Sequence, residues 1–297
     1  MNDSSKGTIA AIAAFSLWGL LPVFWKALHG VPLLELTSHR LLWTLVILII
    51  ITSLRGSLQQ TWGAFKSPRV VAIHTLSALL LAANWLLYVW ATLNDRILEG
   101  ALGYYINPFL YILLGRVFLG ERHSRMQLAA IAVAAAGVVL QFPAVKGVPW
   151  VAFGLAASFA AYGMLRKNSP LGSFSGLAME SSILLPVASL YLVIQQSHGI
   201  SSFGADSTTT LLLICTGAVT AAPLLLFARG ARSISLSWLG ILQFIGPTGQ
   251  FCIGWLVYHE PLPPLRIASF ALIWTAMILY IISLRRMKKP NNGRYRR

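Results

Sequence analysis

Ten apolar runs follow one another along this chain, each about long enough to cross a bilayer as a helix, with little between them. They occupy residues 8–28, 36–54, 70–92, 98–119, 126–142, 148–166, 174–194, 209–229, 236–258 and 264–284. A helix needs about 20 mostly apolar residues to cross roughly 30 Å of hydrocarbon. The runs are about twice the length of a tilted membrane strand and lack its alternation, so a membrane β-barrel is not expected. The fifth run is the shortest. The longest connectors, 54–69 and 195–208, leave no room for a soluble domain.

Composition closes the other routes. Only 10% of the 297 residues are Asp, Glu, Lys or Arg, against roughly 25% in soluble domains, and the mean hydropathy is +0.71. That set cannot coat a water-facing surface, which excludes a soluble globule and a disordered chain. Cys215 and Cys252 lie inside apolar runs and make no disulfide framework. The first run is too long and too weakly preceded by charge for a cleaved signal peptide, and is read as a retained span. The expectation is an all-α membrane protein of ten transmembrane helices.

Basic residues give the orientation, because Lys and Arg near span ends stay on the cytoplasmic side. With the N-terminus inside, 17 basic residues fall on inner connectors and tails, Arg166, Lys167 and Arg232 among them. The outer connectors hold 4, namely Lys26, Arg96, Lys146 and Arg266. Arg40 and Arg116 remain inside spans. Both termini are therefore expected in the cytoplasm, with the basic tail 285–297 resting on anionic headgroups at about 1 kcal/mol per residue near the surface. The net charge of +15 is scattered over connectors and lines no single face, so lipid, not nucleic acid, is the expected partner.

The chain also repeats weakly against itself at an offset of 139, pairing Ile106 with Ile245, Pro108 with Pro247, Gly115 with Gly254 and Glu121 with Glu260. Both halves contain Pro-x(6)-Gly-x(5)-Glu. Trp18-Gly19 corresponds to Tyr162-Gly163 at a slightly different spacing. The units are residues 1–143 and 144–284. Five spans each is an odd number, so the second half enters the membrane in the opposite sense. Inverted repeats of this kind recur in secondary transporters that alternate access by exchanging the conformations of their halves.

Pro108 and Pro247 fall near the midplane of their spans. Each removes an amide donor and obstructs the carbonyl one turn back. Asn107 adjoins one and Gln243 lies one turn before the other, a pattern of interrupted helices lining a substrate site; proline kinks satisfied by neighbouring helices are the competing reading. Glu180 is the one carboxylate that no boundary adjustment takes out of the membrane. Arg40, beside His39, is its counterpart at an offset of 140. Glu180 is read as a proton-coupling or amine site and Arg40 as an anionic-group site, against a structural polar network for the first and outward snorkelling for the second. Trp18, Trp85, Tyr88, Tyr104, Tyr105, Tyr162 and Phe244 gather at similar depth and would suit flat or amphipathic molecules, with core packing as the alternative. Asn84 is either a further substrate contact or an amide tied to a neighbouring helix. Trp62, Trp150 and Tyr280 are assigned to the interfacial belts. Small residues such as Ala134 and Gly137 permit close helix approach. The six histidines are dispersed, so no catalytic residue, metal or cofactor is expected.

Ser16-Leu17-Trp18-Gly19, Ser38-His39-Arg40, Asn84-Trp85-Leu86-Leu87, Gly103-Tyr104-Tyr105-Ile106-Asn107-Pro108, Leu119-Gly120-Glu121-Arg122 and Gln243-Phe244-Ile245-Gly246-Pro247 resemble the RarD branch of EamA-domain transporters, in the drug/metabolite transporter superfamily. The resemblance covers essentially the whole chain. It implies one EamA repeat per five-span half, and export or exchange of small organic solutes across a bacterial inner membrane. It also carries a chloramphenicol-sensitivity label, which names no substrate, and it supplies no catalytic residues. The second half departs from the pattern with His259-Glu260 where the first has Gly120-Glu121. Two other readings stand beside transport: a non-transporting accessory or sensor protein linked to drug sensitivity, and a membrane-embedded enzyme, which would need clustered acids, histidines or metal ligands. Monomer and homodimer are both open.

Overall fold

The computed structural model describes residues 2–93, 97–144, 148–259 and 264–288. Among them every regular element is helical: α1 (Asp3–Lys26), α2 (Leu33–Leu54), α3 (Leu58–Gly63), α4 (Pro68–Leu93), α5 (Ile97–Leu119), α6 (Arg125–Val139), α7 (Trp150–Asn168), α8 (Ser173–Ser197), α9 (Ser207–Ser233), α10 (Leu236–Gln243), α11 (Ile245–Leu256) and α12 (Pro264–Lys288). Polar residues begin several of them. The side chains of Asn2, Asp206 and Ser235 each accept a backbone N–H of the first turn, and Ser124 forms a reciprocal capping box with Gln127. Seven helices are long and apolar enough to cross a membrane, and α6 is a shorter apolar helix of 15 residues. Glu260, Arg96, Lys146 and the tail beyond Lys288 lie outside the described residues.

The ninth apolar run is not one helix. It divides at Phe244, which ends α10 and begins α11. Pro247 is then the third residue of α11, where a missing amide costs no helical bond. Pro108 differs, since it sits inside the continuous α5. The expected pair of interrupted helices is thus present once, at the second proline. The Pro108 carbonyl is instead packed by α10, where a Cβ on Gly240 would stand 2.8 Å from it.

The main helix pairs are α1 on α9 and α11, α4 on α7 and α8, α5 on α7 and α10, α2 on α8 and α9, α7 on α9, and α6 on α12. Glycines set the close approaches. A Cβ on Gly19 would lie 3.1 Å from the Gly246 carbonyl and 3.2 Å from Gly249, and one on Gly137 would lie 2.9 Å from the Ser269 carbonyl. Outward positions hold large apolar side chains such as Leu54, Phe118, Val187 and Leu190, the exterior that a hydrocarbon solvent selects. Trp62 and Trp150 are exposed, as belt residues would be. Tyr280 is not a belt residue: it is buried and stacked on Trp238 at 6.0 Å.

Spanning helices successive in the sequence reverse direction, so one end of the bundle (proximal) gathers the start of α1, the end of α9 and the turn from α7 to α8. The distal end gathers the start of α2 and the α8–α9 connector. There Glu35, fully buried, accepts from Ser201 Oγ (2.9 Å), Ser202 N (2.7 Å) and Ser202 Oγ (2.9 Å). Glu180 therefore has a buried companion in the first turn of α2.

Candidate functional site

Glu180 is the eighth residue of α8, about 10 Å from its proximal start at 1.5 Å per residue. Its side chain is almost fully buried and fully engaged. Oε1 takes Ser77 Oγ at 2.8 Å, His74 Nδ1 at 3.1 Å and Arg166 Nη1 at 3.3 Å, and Oε2 takes the Tyr162 hydroxyl at 3.5 Å. The shell extends outward: His74 Nε2 meets Ser169 Oγ at 3.0 Å and Arg166 Nη2 donates to the Ser173 carbonyl at 3.1 Å. Helices α4, α7 and α8 are thereby clamped together at the proximal end. Arg166 belongs to this cluster, with no exposure at all, although its neighbour Lys167 made it look like a connector cation in the sequence.

Arg40 is the eighth residue of α2, equally deep from the distal end. Its Nε donates to Thr220 Oγ1 of α9 at 3.0 Å, and its guanidinium lies 4.5 Å from the ring of Trp85 and 4.9 Å from that of Trp25. Tyr104 lies within electrostatic reach and meets Tyr88 edge-on at 6.0 Å. Between Arg40's surroundings and Glu180 runs a narrow cleft lined by Thr44, Trp85, Thr220, Leu224, Ser181 and Glu180.

The other sequence candidates separate into two groups. Trp18 and Tyr162 enter an aromatic core with Phe15, Phe159 and Phe227, where Tyr162 stacks on Phe227 at 6.0 Å and Trp18 lies 5.7 Å from Phe159. Asn107, Pro108, Gln243 and Pro247 lie on α5, α10 and α11, around the α5–α10 crossing. Asn107 is buried with neither amide atom partnered, and Gln243 Oε1 is also without a partner among the described residues. Phe244 packs on Phe109, while Tyr105 turns to Phe270. Asn84 donates to the Leu155 carbonyl and to Ser158 Oγ, both at 2.9 Å, so its amide ties α4 to α7. Sequence reading overlooked His74, Ser77, Trp25 and Thr220. His74 was detectable as a lone imidazole in an otherwise apolar run; the other three carry no such signal.

Three comparisons bear on this geometry. The model of the EamA-like transporter family matches residues 5–142. An uncharacterized transporter of Vibrio cholerae is 39% identical over 95% of this chain and 93% of its own, and protein RarD of Escherichia coli is 37% identical over 95% of both. The chain belongs to the EamA family, on its RarD branch. A solved structure of 18% identity superposes with a TM-score of 0.72 over 95% of this chain and 99% of its own, a likeness of fold. This EamA protein is thus a multi-pass, transporter-like membrane protein.

The Gly-x(5)-Glu element of this EamA chain has a structural explanation in its first half. Gly120 adopts a left-handed conformation (φ +65°) that turns Glu121 N onto the Gly115 carbonyl at 2.9 Å. The carboxylate folds over Gly115, where a Cβ would stand 2.6 Å from Oε2. There it accepts from Leu236 N (2.7 Å), Ser237 N (3.0 Å) and Ser237 Oγ, capping α10 from outside. Glu121→Ala should cost about 1–2 kcal/mol in thermal unfolding. His123 Nε2 shares Ser237 Oγ at 2.8 Å. Burial holds His123 below its ordinary value of 6.5, against the pull of Glu121 and with Arg116 acting in the same sense as burial. The unfolded chain then binds the proton more readily, so stability should fall as pH drops below 6.5, and His123→Asn should flatten that slope.

Proposed function

We propose that this chain is a secondary transporter of the bacterial inner membrane, moving small amphipathic or aromatic organic solutes by alternating access, as an exporter or exchanger. The reading takes residues 1–143 and 144–284 as two five-helix units lying upside down to each other. The proximal end, both termini and the basic tail face the cytoplasm. The observation that carries it is a correspondence of packing. Exchanging each helix of one half for its counterpart turns α1 on α9 into α7 on α4, α5 on α7 into α11 on α1, and α2 on α9 into α8 on α4; α6–α12, α2–α8 and α5–α10 map onto themselves, and α7 on α9 is the main pair without a matching α1 on α4. Side chains follow suit: Tyr111 donates to the Phe159 carbonyl on α7 at 3.1 Å, and Gln250, its counterpart, to the Trp18 carbonyl on α1 at 3.4 Å. Two units packed alike are able to trade conformations, which is the requirement for opening one site to each side in turn.

In this reading Trp85, Tyr88, Tyr104 and Arg40 form the distal part of the substrate site, and the unpaired amides of Asn107 and Gln243 supply polar contacts near the midplane. Trp18 and Tyr162 wall the site, and Asn84 holds α7 in register beside it. Glu180 closes the proximal side. The test is the purified protein in liposomes, offered amino acids, nucleosides and phenicol drugs. Saturable flux or counterflow is expected, and its absence across the panel favours an accessory or sensor role. Cysteines placed beside Glu121 and Glu260 should label from opposite faces; labelling from one common face overturns the inversion. Slower exchange is expected in Pro247→Ala, where the helix is divided, than in Pro108→Ala.

A further inference from the structure

We infer that Arg40 binds the carboxylate of the transported solute while Trp25 and Trp85 hold the aromatic body attached to it, so that the substrates are small aromatic organic anions. This rests on the transporter reading above and names its substrate class.

The first support is how the arginine is left. A guanidinium offers five N–H donors in a planar fork. Arg40 spends one, from Nε to Thr220, and its two terminal nitrogens have no partner among the described residues. By contrast the fully buried Arg166 donates from both terminal nitrogens, and at the surface Arg232 Nη1 donates to the Ser169 and Leu171 carbonyls at 2.7 and 2.6 Å. Arg40 also has no carboxylate partner among the described residues. Its end-on edge is thus free in the geometry that takes a carboxylate through two parallel bonds.

The second is direction. A snorkelling arginine would carry its head to the distal surface. Thr220 is the fourteenth residue of α9, about 20 Å from that helix's distal start, so Arg40 reaches inward across the bundle. Its guanidinium lies over both indole rings, so a flat apolar body attached to a bound carboxylate would pack against the same two side chains.

The third is charge. Trp85 and Thr220, both touching Arg40, also line the cleft that leads to Glu180. The Glu180 charge is already met by Arg166 at 3.3 Å. One uncompensated positive group, Arg40, thus stands behind two of the cleft's lining residues and no free negative one faces it, which favours anions over amines.

The experiment uses the full chain in lipid nanodiscs, with 3-phenylpropionate as the probe and its amide, phenethylamine and acetate as comparisons, binding read by calorimetry and flux in liposomes. The acid should bind at least about tenfold more tightly than the amide, the amine or acetate. Arg40→Gln should abolish that preference, and Arg40→Lys, which keeps the charge without the fork, should retain part of it. No carboxylate is stranded by either change, so unfolding temperatures should stay close to wild type. The inference is overturned if the acid does not bind, if amide or amine binds equally, or if Arg40→Gln keeps the preference; acetate binding as tightly overturns the aromatic part. Should Arg40→Gln not fold, the wild-type selectivity and Arg40→Lys still decide. Selective binding without flux defeats the transporter reading and leaves this one standing. Flux of phenethylamine with no preference for the acid does the reverse.

Discussion

Glu180→Ala should fail to give a stably folded protein in detergent. The change strands Arg166, fully buried, and His74, also fully buried, without the carboxylate that both face. Breaking a buried pair by removing one member costs about 3–5 kcal/mol, because the other charge stays desolvated. That is a large share of a typical folding free energy. Ser77 and Tyr162 lose an acceptor as well. Glu180→Gln keeps an acceptor for Ser77 and should unfold at an intermediate temperature. Replacing Glu180 by Leu together with Arg166 by Met should recover much of the loss, since well-packed apolar pairs often match a buried ion pair. Unfolding temperatures of the three variants check the order. Transport adds a separate readout: full proton-dependent flux in Glu180→Gln would confine this residue to a structural role and remove it from coupling.

Gly217→Ala is expected to force α2 and α9 apart beside Arg40. The new Cβ would meet the backbone of Trp43, 2.5 Å from its carbonyl carbon and 2.7 Å from the oxygen. Backbone cannot rotate away, so α2 and α9 must separate. Overpacking of this kind costs about 1–3 kcal/mol. The displacement also acts on the site, because Thr44 donates to the Gly217 carbonyl at 3.3 Å and Thr220, one turn along α9, holds Arg40. Loss of transport should therefore exceed what the fall in unfolding temperature explains. Gly246→Ala serves as the control, since its Cβ would find an ordinary contact of 3.6 Å to the Phe15 carbonyl. Equal unfolding temperatures for the two variants would show the α2–α9 crossing to be yielding.

The apolar runs were legible because spanning a bilayer is a demand on amount and length, and both can be counted. Starts such as Ser124 and Asp206 are legible for a local reason: their partners stand three residues away. Arg40 and Glu180 stood out as charges where hydrocarbon tolerates few. What surrounds them did not, since Ser77 and His74 lie 103 and 106 residues from Glu180 and Thr220 lies 180 from Arg40. The two midplane prolines look alike in the sequence, yet one lies inside a helix and the other follows a break. That difference is decided by Phe244 and the packing of α10 on α5, to which no local pattern refers. Asn84 was ambiguous for the same reason, as its acceptors on α7 are 71 and 74 residues away.

The clamp around Glu180 also has a consequence for biosynthesis. His74 and Ser77 are made long before the carboxylate they serve, with 106 residues separating His74 from Glu180. At about 5–20 residues per second the imidazole waits roughly 5–20 s beside the translocon with its lasting acceptor still unmade. Helix α4 therefore gains its proximal partners only after the ribosome has delivered α8, and a chain truncated before it should be handed to membrane quality control instead of accumulating.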